Sequence, residues 1–346
     1  MKTTRSTKRS FRPSVEALES REVPTVSAFT VASDPGILFV VGDSGANNVQ
    51  ILQNDNANTI RVIGDGQTRT FTSTEITTII VGLDGPTVNG IPPAATNGND
   101  TIVYRLDGGS NFRFAKMVGI DLGNGTNNAT VDLQNNGQGG QATIEAPVTI
   151  LIRSLGSVGP INFNHLPGSK VDNVLVNLGA IDEDAAAVVD INLGIGDDVA
   201  TVNQRGTLCD NARLDIKLDD APAFTEILNR PTGSQRFRFL GGNDIFSVNL
   251  DGDVPDSRGV VNVNMFGRHG NDTLSLTQRG ELDGTMTINI MGGAGNDTLS
   301  ATLALEEDSE GSLSLAMLGQ VGNIESVTAL VDNFGDLASF TRTILP

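Results

Sequence analysis

Apolar and polar residues alternate along short segments of this chain, and these segments recur at a regular interval. Between Val188 and Leu303 the apolar positions fall into register when the chain is cut every 23 to 25 residues. Alternation with a period of two puts successive side chains on opposite faces, so each segment predicts a strand with one face in a core. The two predicted core columns are Val189, Leu214, Phe237, Val261 and Met286, and, two positions further on, Ile191, Ile216, Phe239, Val263 and Ile288.

A second strand is predicted in each repeat, after a glycine-rich turn. A single repeat buries too few side chains to fold alone, so neighbouring repeats must stack and share a core. We therefore predict an all-β fold, a parallel β-solenoid with coils of about 24 residues and a small N-terminal β unit. The same spacing also fits an antiparallel β meander or sandwich, which remains the alternative. The inward residues predicted for the second strands are Phe246, Val248, Leu274, Leu276, Leu299 and Ala301.

Changes in composition divide the chain into four predicted segments. Residues 1–24 form a basic targeting or disordered segment, and residues 25–97 form an N-terminal β unit that ends in a proline-rich loop. Residues 98–330 form the repetitive solenoid, and residues 331–346 form a C-terminal cap. Within the cap, Val331 to Phe340 predicts a short helix.

Composition and charge argue against nucleic acids as binding partners. The chain has 346 residues, with 40 glycines, one tyrosine and no tryptophan, so turns matter more than aromatic packing. Residues 1–24 carry six basic and three acidic side chains, which leaves −21 on the rest of a chain whose net charge is −18. Such a body repels the phosphates of nucleic acids. The sequence contains no apolar run of about 18 residues, so no membrane-spanning helix is predicted. The single cysteine, Cys209, allows no intramolecular disulfide.

Glycine- and aspartate-rich turns carry the candidate chemistry. Gly292 to Ser300 fits a calcium-binding nonapeptide at every defined position, while Gly267 to Leu274 and Gly241 to Phe246 are weaker copies. Glycines can expose carbonyl oxygens at a corner, and the aspartate adds a carboxylate, which together suit a hard cation such as Ca²⁺. The alternative is a plain turn, in which Gly-Asn-Asp supplies only the local chemistry of a tight bend.

Residues 241–300 resemble the hemolysin-type calcium-binding repeats of the RTX group. The resemblance implies calcium ions held between successive turns by glycine carbonyls and the motif aspartate, and unfolding at a higher temperature when calcium is present. This chain departs from the family because its motifs are not in nine-residue tandem, one corner per coil carries them, and the coil is longer. The residues that the resemblance assigns to calcium are Gly241, Gly242, Asp244, Gly267, Gly270, Asp272, Gly292, Gly293, Gly295 and Asp297.

The N-terminus carries a second resemblance. Leu18-Glu19-Ser20-Arg21, with Pro24 shortly after, is similar to the Leu-Glu-x-Arg export signature of planctomycete proteins that have repetitive β-rich bodies. The resemblance implies a bacterial protein of the cell envelope or the extracellular space. An ordinary secretory signal is not predicted, because no uninterrupted apolar stretch follows the basic start.

These patterns predict an exported, non-enzymatic, calcium-binding β-solenoid with a structural or adhesive role at the cell surface or in the extracellular matrix. Its expected partners are calcium ions and cell-surface or matrix components. The alternative is a polysaccharide-active β-helix enzyme, such as a lyase, epimerase or hydrolase. The sequence favours the first hypothesis, because it has few aromatic side chains for sugar binding and no Gly-x-Ser-x-Gly, phosphate-loop or His-Glu-x-x-His motif.

Overall fold

The structure, a computed structural model, consists of strands and contains no helix in the residues that it describes. It therefore offers no helix in those residues that could cross a membrane. The described residues are 26–42, 45–82, 98–123, 125–154, 157–158, 161–162, 171–193, 196–220, 242–254, 258–306, 308–319, 326–332 and 339–345. The proline-rich loop and the N-terminal targeting segment of the sequence-based division lie outside them.

In the part of the chain that the structure describes, twenty-six strands follow one another. They are β1 (Ser27–Val31), β2 (Asp34–Val41), β3 (Asn48–Asn54), β4 (Thr59–Gly64), β5 (Gln67–Thr72), β6 (Thr78–Gly82), β7 (Thr101–Leu106), β8 (Lys116–Asp121), β9 (Asn128–Leu133), β10 (Thr143–Ile144), β11 (Val148–Arg153), β12 (Ser157–Val158), β13 (Ile161–Asn162), β14 (Asn173–Leu178), β15 (Ala180–Ile181), β16 (Ala186–Leu193), β17 (Val199–Arg205), β18 (Arg213–Asp220), β19 (Ile245–Asp251), β20 (Val260–Phe266), β21 (Thr273–Gly280), β22 (Thr285–Met291), β23 (Thr298–Leu305), β24 (Ser312–Leu318), β25 (Ser326–Asp332) and β26 (Ser339–Leu345).

Most of these strands belong to two long sheets of eleven strands each. Sheet A has the order β1-β2-β6-β8-β11-β16-β18-β20-β22-β24-β26, and sheet B has the order β25-β23-β21-β19-β17-β14-β9-β7-β3-β4-β5. From β6 onward the chain passes back and forth between the two long sheets, whose strands pair in parallel there. Two small sheets lie outside them, a parallel pair of β10 with β15 and an antiparallel pair of β12 with β13. The all-β prediction is confirmed, and the antiparallel meander is wrong for this region.

The two sheets enclose one core. A single cluster of buried apolar side chains extends from Val26 to Met317. The inward positions predicted for the second strands are all confirmed, since each is at most 1% exposed. Most outward positions of the same strands are polar, with the exposed Ile245 on β19 as an exception, so period-two alternation decides which face of each strand is buried.

The sequence predicts which residues pair between the first strands of successive repeats, and this predicted pairing is confirmed for some strands and wrong for others. Val261 pairs with Met286, as predicted. Val189 pairs with Ile216 rather than with Leu214, a difference of two residues. Strand β18 pairs directly with β20, so the predicted strand position for Phe237 and Phe239 between them is wrong.

The reason for this error is an extra segment. Residues 221–241, which the structure does not describe, separate β18 from the following sheet B strand. The chain thus uses about twice the usual length for this repeat, since Val199 on β17 pairs with Ile245 on β19. Phe237 and Phe239, which the sequence places in a core column, lie in the part of the chain that the structure does not describe.

Both ends of the sheets differ from the repetitive centre. At the N-terminal end, β1 and β2 pair antiparallel, as do β3, β4 and β5. At the C-terminal end, the short helix predicted from Val331 to Phe340 is wrong, because Val331 lies in β25 and Phe340 lies in β26. Residues 333–338 between these strands lie outside the described part of the chain.

A buried polar network joins the antiparallel end to the parallel strands. The Tyr104 hydroxyl donates to Gln53 (2.5 Å), and Gln53 in turn donates to Asp55 (2.8 Å). Asp55 also accepts from the hydroxyl of Ser73 (2.6 Å), and Lys116 donates to the Ser73 carbonyl (2.7 Å). Burial lowers the pKa of Lys116 to about 8. All five side chains are at most 5% exposed, so the network fixes the junction rather than offering reactive groups to a substrate.

Candidate functional site

A column of acidic and amide side chains lies at one corner of the fold, where each sheet A strand leads into the next sheet B strand. Each member directly precedes a sheet B strand and is at most 2% exposed. We call this column the corner ladder. Its members are Asn47, Asp100, Asn127, Asp172, Asp198, Asp244, Asp272 and Asp297.

Backbone-to-side-chain hydrogen bonds connect the ladder from end to end. The backbone N–H of Asp198 donates to Oδ1 of Asp244 (2.8 Å), and the N–H of Asp244 donates to Oδ1 of Asp272 (2.8 Å). The N–H of Asp272 continues the series to Oδ1 of Asp297 (2.9 Å). The same bond joins the earlier members at 2.7 to 3.1 Å. Each side chain therefore satisfies a backbone donor that would otherwise be buried without a partner.

A second, exposed row runs in the opposite direction beside the ladder. It is formed by the residues immediately before the ladder members. The N–H of Asn271 donates to Oδ1 of Asn243 (2.8 Å), and the N–H of Asn296 donates to Oδ1 of Asn271 (2.9 Å). In a Gly-Asn-Asp turn the asparagine thus accepts from the following corner and the aspartate accepts from the preceding one. Adjacent corners are therefore joined by hydrogen bonds that run in both directions.

Close backbone approach explains the glycine that stands two residues before most ladder members. A Cβ atom added to Gly242 would lie 1.3 Å from the carbonyl oxygen of Gly196, and one added to Gly295 would lie 1.4 Å from that of Gly270. No side chain fits at these separations. Equivalent approaches occur at Gly98, Gly125 and Gly270. The glycines are needed because successive corners stack on one another at contact distance.

The asparagine and aspartate members of the ladder differ in the second terminal atom of the side chain, which is Nδ2 in asparagine and Oδ2 in aspartate. In Asn127, Nδ2 donates to Oδ1 of Asp172 (3.0 Å). In Asp198, Asp244 and Asp272, the corresponding branch atom is the carboxylate Oδ2, which is buried and has no hydrogen-bond partner. In these aspartates an oxygen without a hydrogen atom therefore occupies the position from which the side-chain amide of Asn127 donates. A proton on this oxygen would restore the missing donor.

Burial changes the acidity of the ladder. Removal from water raises the pKa of Asp172 and Asp244 to about 7, and that of Asp198 and Asp272 to about 8. The backbone N–H bonds oppose this shift and neighbouring carboxylates add to it. These four aspartates consequently hold protons at pH values where an exposed aspartate is fully ionised.

The structure places the residues assigned to calcium in three different roles. Gly242, Gly270 and Gly295 make the close backbone contacts, and the three aspartates belong to the ladder. A Cβ atom on Gly267 would lie 2.4 Å from Oδ2 of Asp272, and one on Gly292 would lie 2.4 Å from Oδ2 of Asp297, so these glycines make room for the carboxylates. Gly293 has a φ of 97°, and Gly241 lies outside the described residues.

This donor set does not assemble a calcium shell. Calcium takes about six to eight oxygen ligands. Each aspartate from Asp244 to Asp297 already uses Oδ1 for a backbone N–H, and the carbonyls of Gly242 and Gly270 face the next glycine. Among the described residues no group of three or more His, Cys, Asp or Glu side chains is placed to hold a metal ion. Calcium binding stays a prediction of the RTX resemblance.

Thermal unfolding distinguishes the calcium hypothesis from a ladder that is complete without metal. If protons and hydrogen bonds satisfy the corners, we expect the same midpoint in millimolar calcium and in excess chelator, because no bound ion adds to the stability of the folded state. Asp272→Asn is the matched variant, since asparagine already occupies this column at Asn127. A calcium-dependent rise in the midpoint that Asp272→Asn reduces would confirm the resemblance and contradict the metal-free ladder.

A groove with a volume of about 500 Å³ crosses the outer face of sheet B, away from the ladder. We call it the sheet B groove. Its floor comes from β14, β17, β19 and β21, and the turn that begins at Gln134 borders it. The polar side chains of this lining that are exposed or partly exposed include Asn177, Asn203, Arg205, Asn249, Asp251 and Arg279.

Sequence reasoning found three members of the ladder and missed five. The missed signal is a Gly-x-Asn or Gly-x-Asp tripeptide just before a strand, as in Gly98-Asn99-Asp100 and Gly125-Thr126-Asn127. Lys170-Val171-Asp172 lacks the glycine, so the strand register alone places Asp172 in the column. Comparisons of the chain with known protein families, with curated proteins and with solved structures find no match.

Proposed function

We propose that this chain is an exported β-solenoid with a structural or adhesive role at the cell surface or in the extracellular matrix, and that it is not an enzyme. The observation that carries the proposal is the corner ladder, which continues in phase with two alternating parallel sheets from Asn47 to Asp297. A chain that coils repeatedly through two sheets, with one corner in the same place each time, has the geometry expected of a solenoid. Such a stack suits a scaffold.

The arrangement of the acidic side chains supports a non-enzymatic role. The ladder carboxylates are buried and are committed to backbone hydrogen bonds, so a substrate cannot reach them. In the sheet B groove, Asp251 is the single carboxylate among the described lining residues. Hydrolysis of a glycosidic bond generally uses a pair of carboxyl groups on either side of the bond. The polysaccharide-active alternative therefore has no observation in its favour.

Cell fractionation tests the location, and a substrate screen tests the absence of activity. We expect the protein in the envelope or medium of the cells that produce it. A variant in which Leu18, Glu19 and Arg21 are all replaced by alanine should remain in the cytosol, because it lacks the export signature. Recovery of the unaltered protein from the cytosol would contradict the proposal, and so would release of products from an acidic or neutral polysaccharide.

A further inference from the structure

The floor of the sheet B groove contains a hydrogen-bonded row of amides. Nδ2 of Asn203 donates to Oδ1 of Asn177 (2.9 Å), and Nδ2 of Asn249 donates to Oδ1 of Asn203 (2.9 Å). The three residues are register neighbours on β14, β17 and β19. Because a carboxamide has two donor hydrogens and two acceptor lone pairs, the middle member keeps one of each after making these bonds. The row thus presents fixed donors and acceptors to the groove.

A charged row lies two residues further along β17 and β19 and continues on β21. Arg205, Asp251 and Arg279 are register neighbours on β17, β19 and β21. Arg205 and Asp251 are 3.7 Å apart, and more than half of each side chain is exposed. Arg279 makes no ion pair with any residue that the structure describes. The row carries a net positive charge on a chain whose net charge is −18, so it is a local site for an anion.

The shape of the groove fits a linear ligand. Its lining comes from five consecutive positions in sheet B, from β9 to β21. Four spacings of about 4.8 Å give a length of about 19 Å. The groove, with a volume of about 500 Å³, is therefore elongated across the row of strands. A globular ligand would not follow such a path.

We propose that the sheet B groove binds a single strand of an acidic polysaccharide, with uronate carboxylates on Arg205 and Arg279 and sugar hydroxyls on the asparagine row. Guanidinium groups pair with carboxylates through two parallel N–H donors, and amides bond hydroxyls as both donor and acceptor. Among the described residues that line the groove there is no aromatic platform for nucleic-acid bases, and the single apolar member, Leu250, is only 3% exposed and offers little surface to a peptide side chain. This binding would add to the proposed structural role, because it gives the scaffold a class of partner, the acidic polysaccharides.

Calorimetric titration with a hexamer of galacturonate, in low salt and with chelator, tests the site. We expect Arg279→Gln to weaken binding about tenfold, because it removes one charge-assisted contact. Asp251→Asn should tighten binding severalfold, since it removes the negative charge between the two arginines. Arg258→Gln is the control, as this arginine is also exposed but pairs with Asp210 outside the groove. Its affinity should equal that of the unaltered protein.

Four results would overturn the proposal: no binding of the hexamer at millimolar concentration, equal binding of a neutral xylose hexamer, equal binding of polyglutamate, or equal losses in Arg279→Gln and Arg258→Gln. Polyglutamate shares the carboxylates but not the hydroxyls, so it separates a glycan site from a peptide site or a general anion site. Unchanged unfolding midpoints would show that these surface variants remain folded. Failure of the titration leaves the cell fractionation result unaffected, so the two proposals fail separately.

Discussion

Gly295→Ala should destabilise the protein by on the order of 4 kcal/mol or more, and should leave much of it unfolded at physiological temperature. The added Cβ atom would lie 1.4 Å from the carbonyl oxygen of Gly270, which is backbone and cannot rotate away. Relief requires that two corners separate, and separation would break the bonds from Asn296 to Asn271 and from Asp272 to Asp297. Urea unfolding followed by circular dichroism measures the loss.

Gly36→Ala is the matched control for this variant. A Cβ atom on Gly36 meets the side-chain oxygen of Thr77 at 3.2 Å, and this oxygen can move by a few tenths of an ångström. We expect its stability to change by less than about 1 kcal/mol, because alanine also reduces the entropy of the unfolded chain. Equal urea midpoints for Gly295→Ala and Gly36→Ala would contradict the close stacking of the corners.

Lowering the pH from 8.5 to 5 should stabilise the protein through the ladder aspartates. Their pKa values are raised in the folded state, so between about pH 4 and pH 8 the folded chain binds more protons than the unfolded chain does. Stability is therefore greatest at the acidic end of this window and decreases as the pH rises through the folded-state values. Thermal or urea unfolding at several pH values measures the slope.

Asp244→Asn isolates the contribution of one ladder position. Asparagine keeps the Oδ1 that accepts the N–H of Asp198, and its Nδ2 can donate to Asp272 as Asn127 donates to Asp172. A shift of about three pKa units corresponds to roughly 4 kcal/mol. We therefore expect this variant to be more stable than the unaltered protein at pH 8.5 by a few kcal/mol, with a difference that becomes smaller as the pH falls and vanishes near pH 4.

Asp34→Asn makes the same change of charge at an exposed position outside the ladder. It controls for the general relief of repulsion in an acidic chain, and it should keep the full pH slope. If Asp244→Asn and the unaltered protein show parallel pH profiles, the buried carboxylates do not hold the protons that we assign to them.

The corner turns show how far local sequence could predict the site. The spacing of Asp244, Asp272 and Asp297 matches the length of the repeat, and the structure places them on successive corners. The pattern could not reveal that their carboxylates point into the fold and accept backbone N–H groups. A glycine- and aspartate-rich turn has the same composition whether its oxygens face a cation or a neighbouring backbone.

Alternation of apolar and polar residues determined by itself that the chain is all-β and which face of each strand is buried, because a period of two follows from the local geometry of an extended backbone. Tertiary structure alone decided which strands are neighbours. The pairing of β18 with β20 across residues 221–241, and of Val189 with Ile216, depends on contacts between residues far apart in the chain. Local spacing does not record how many residues separate two paired strands, so the continuous ladder that includes Asn47 and Asp172 emerged only from the stacked sheets.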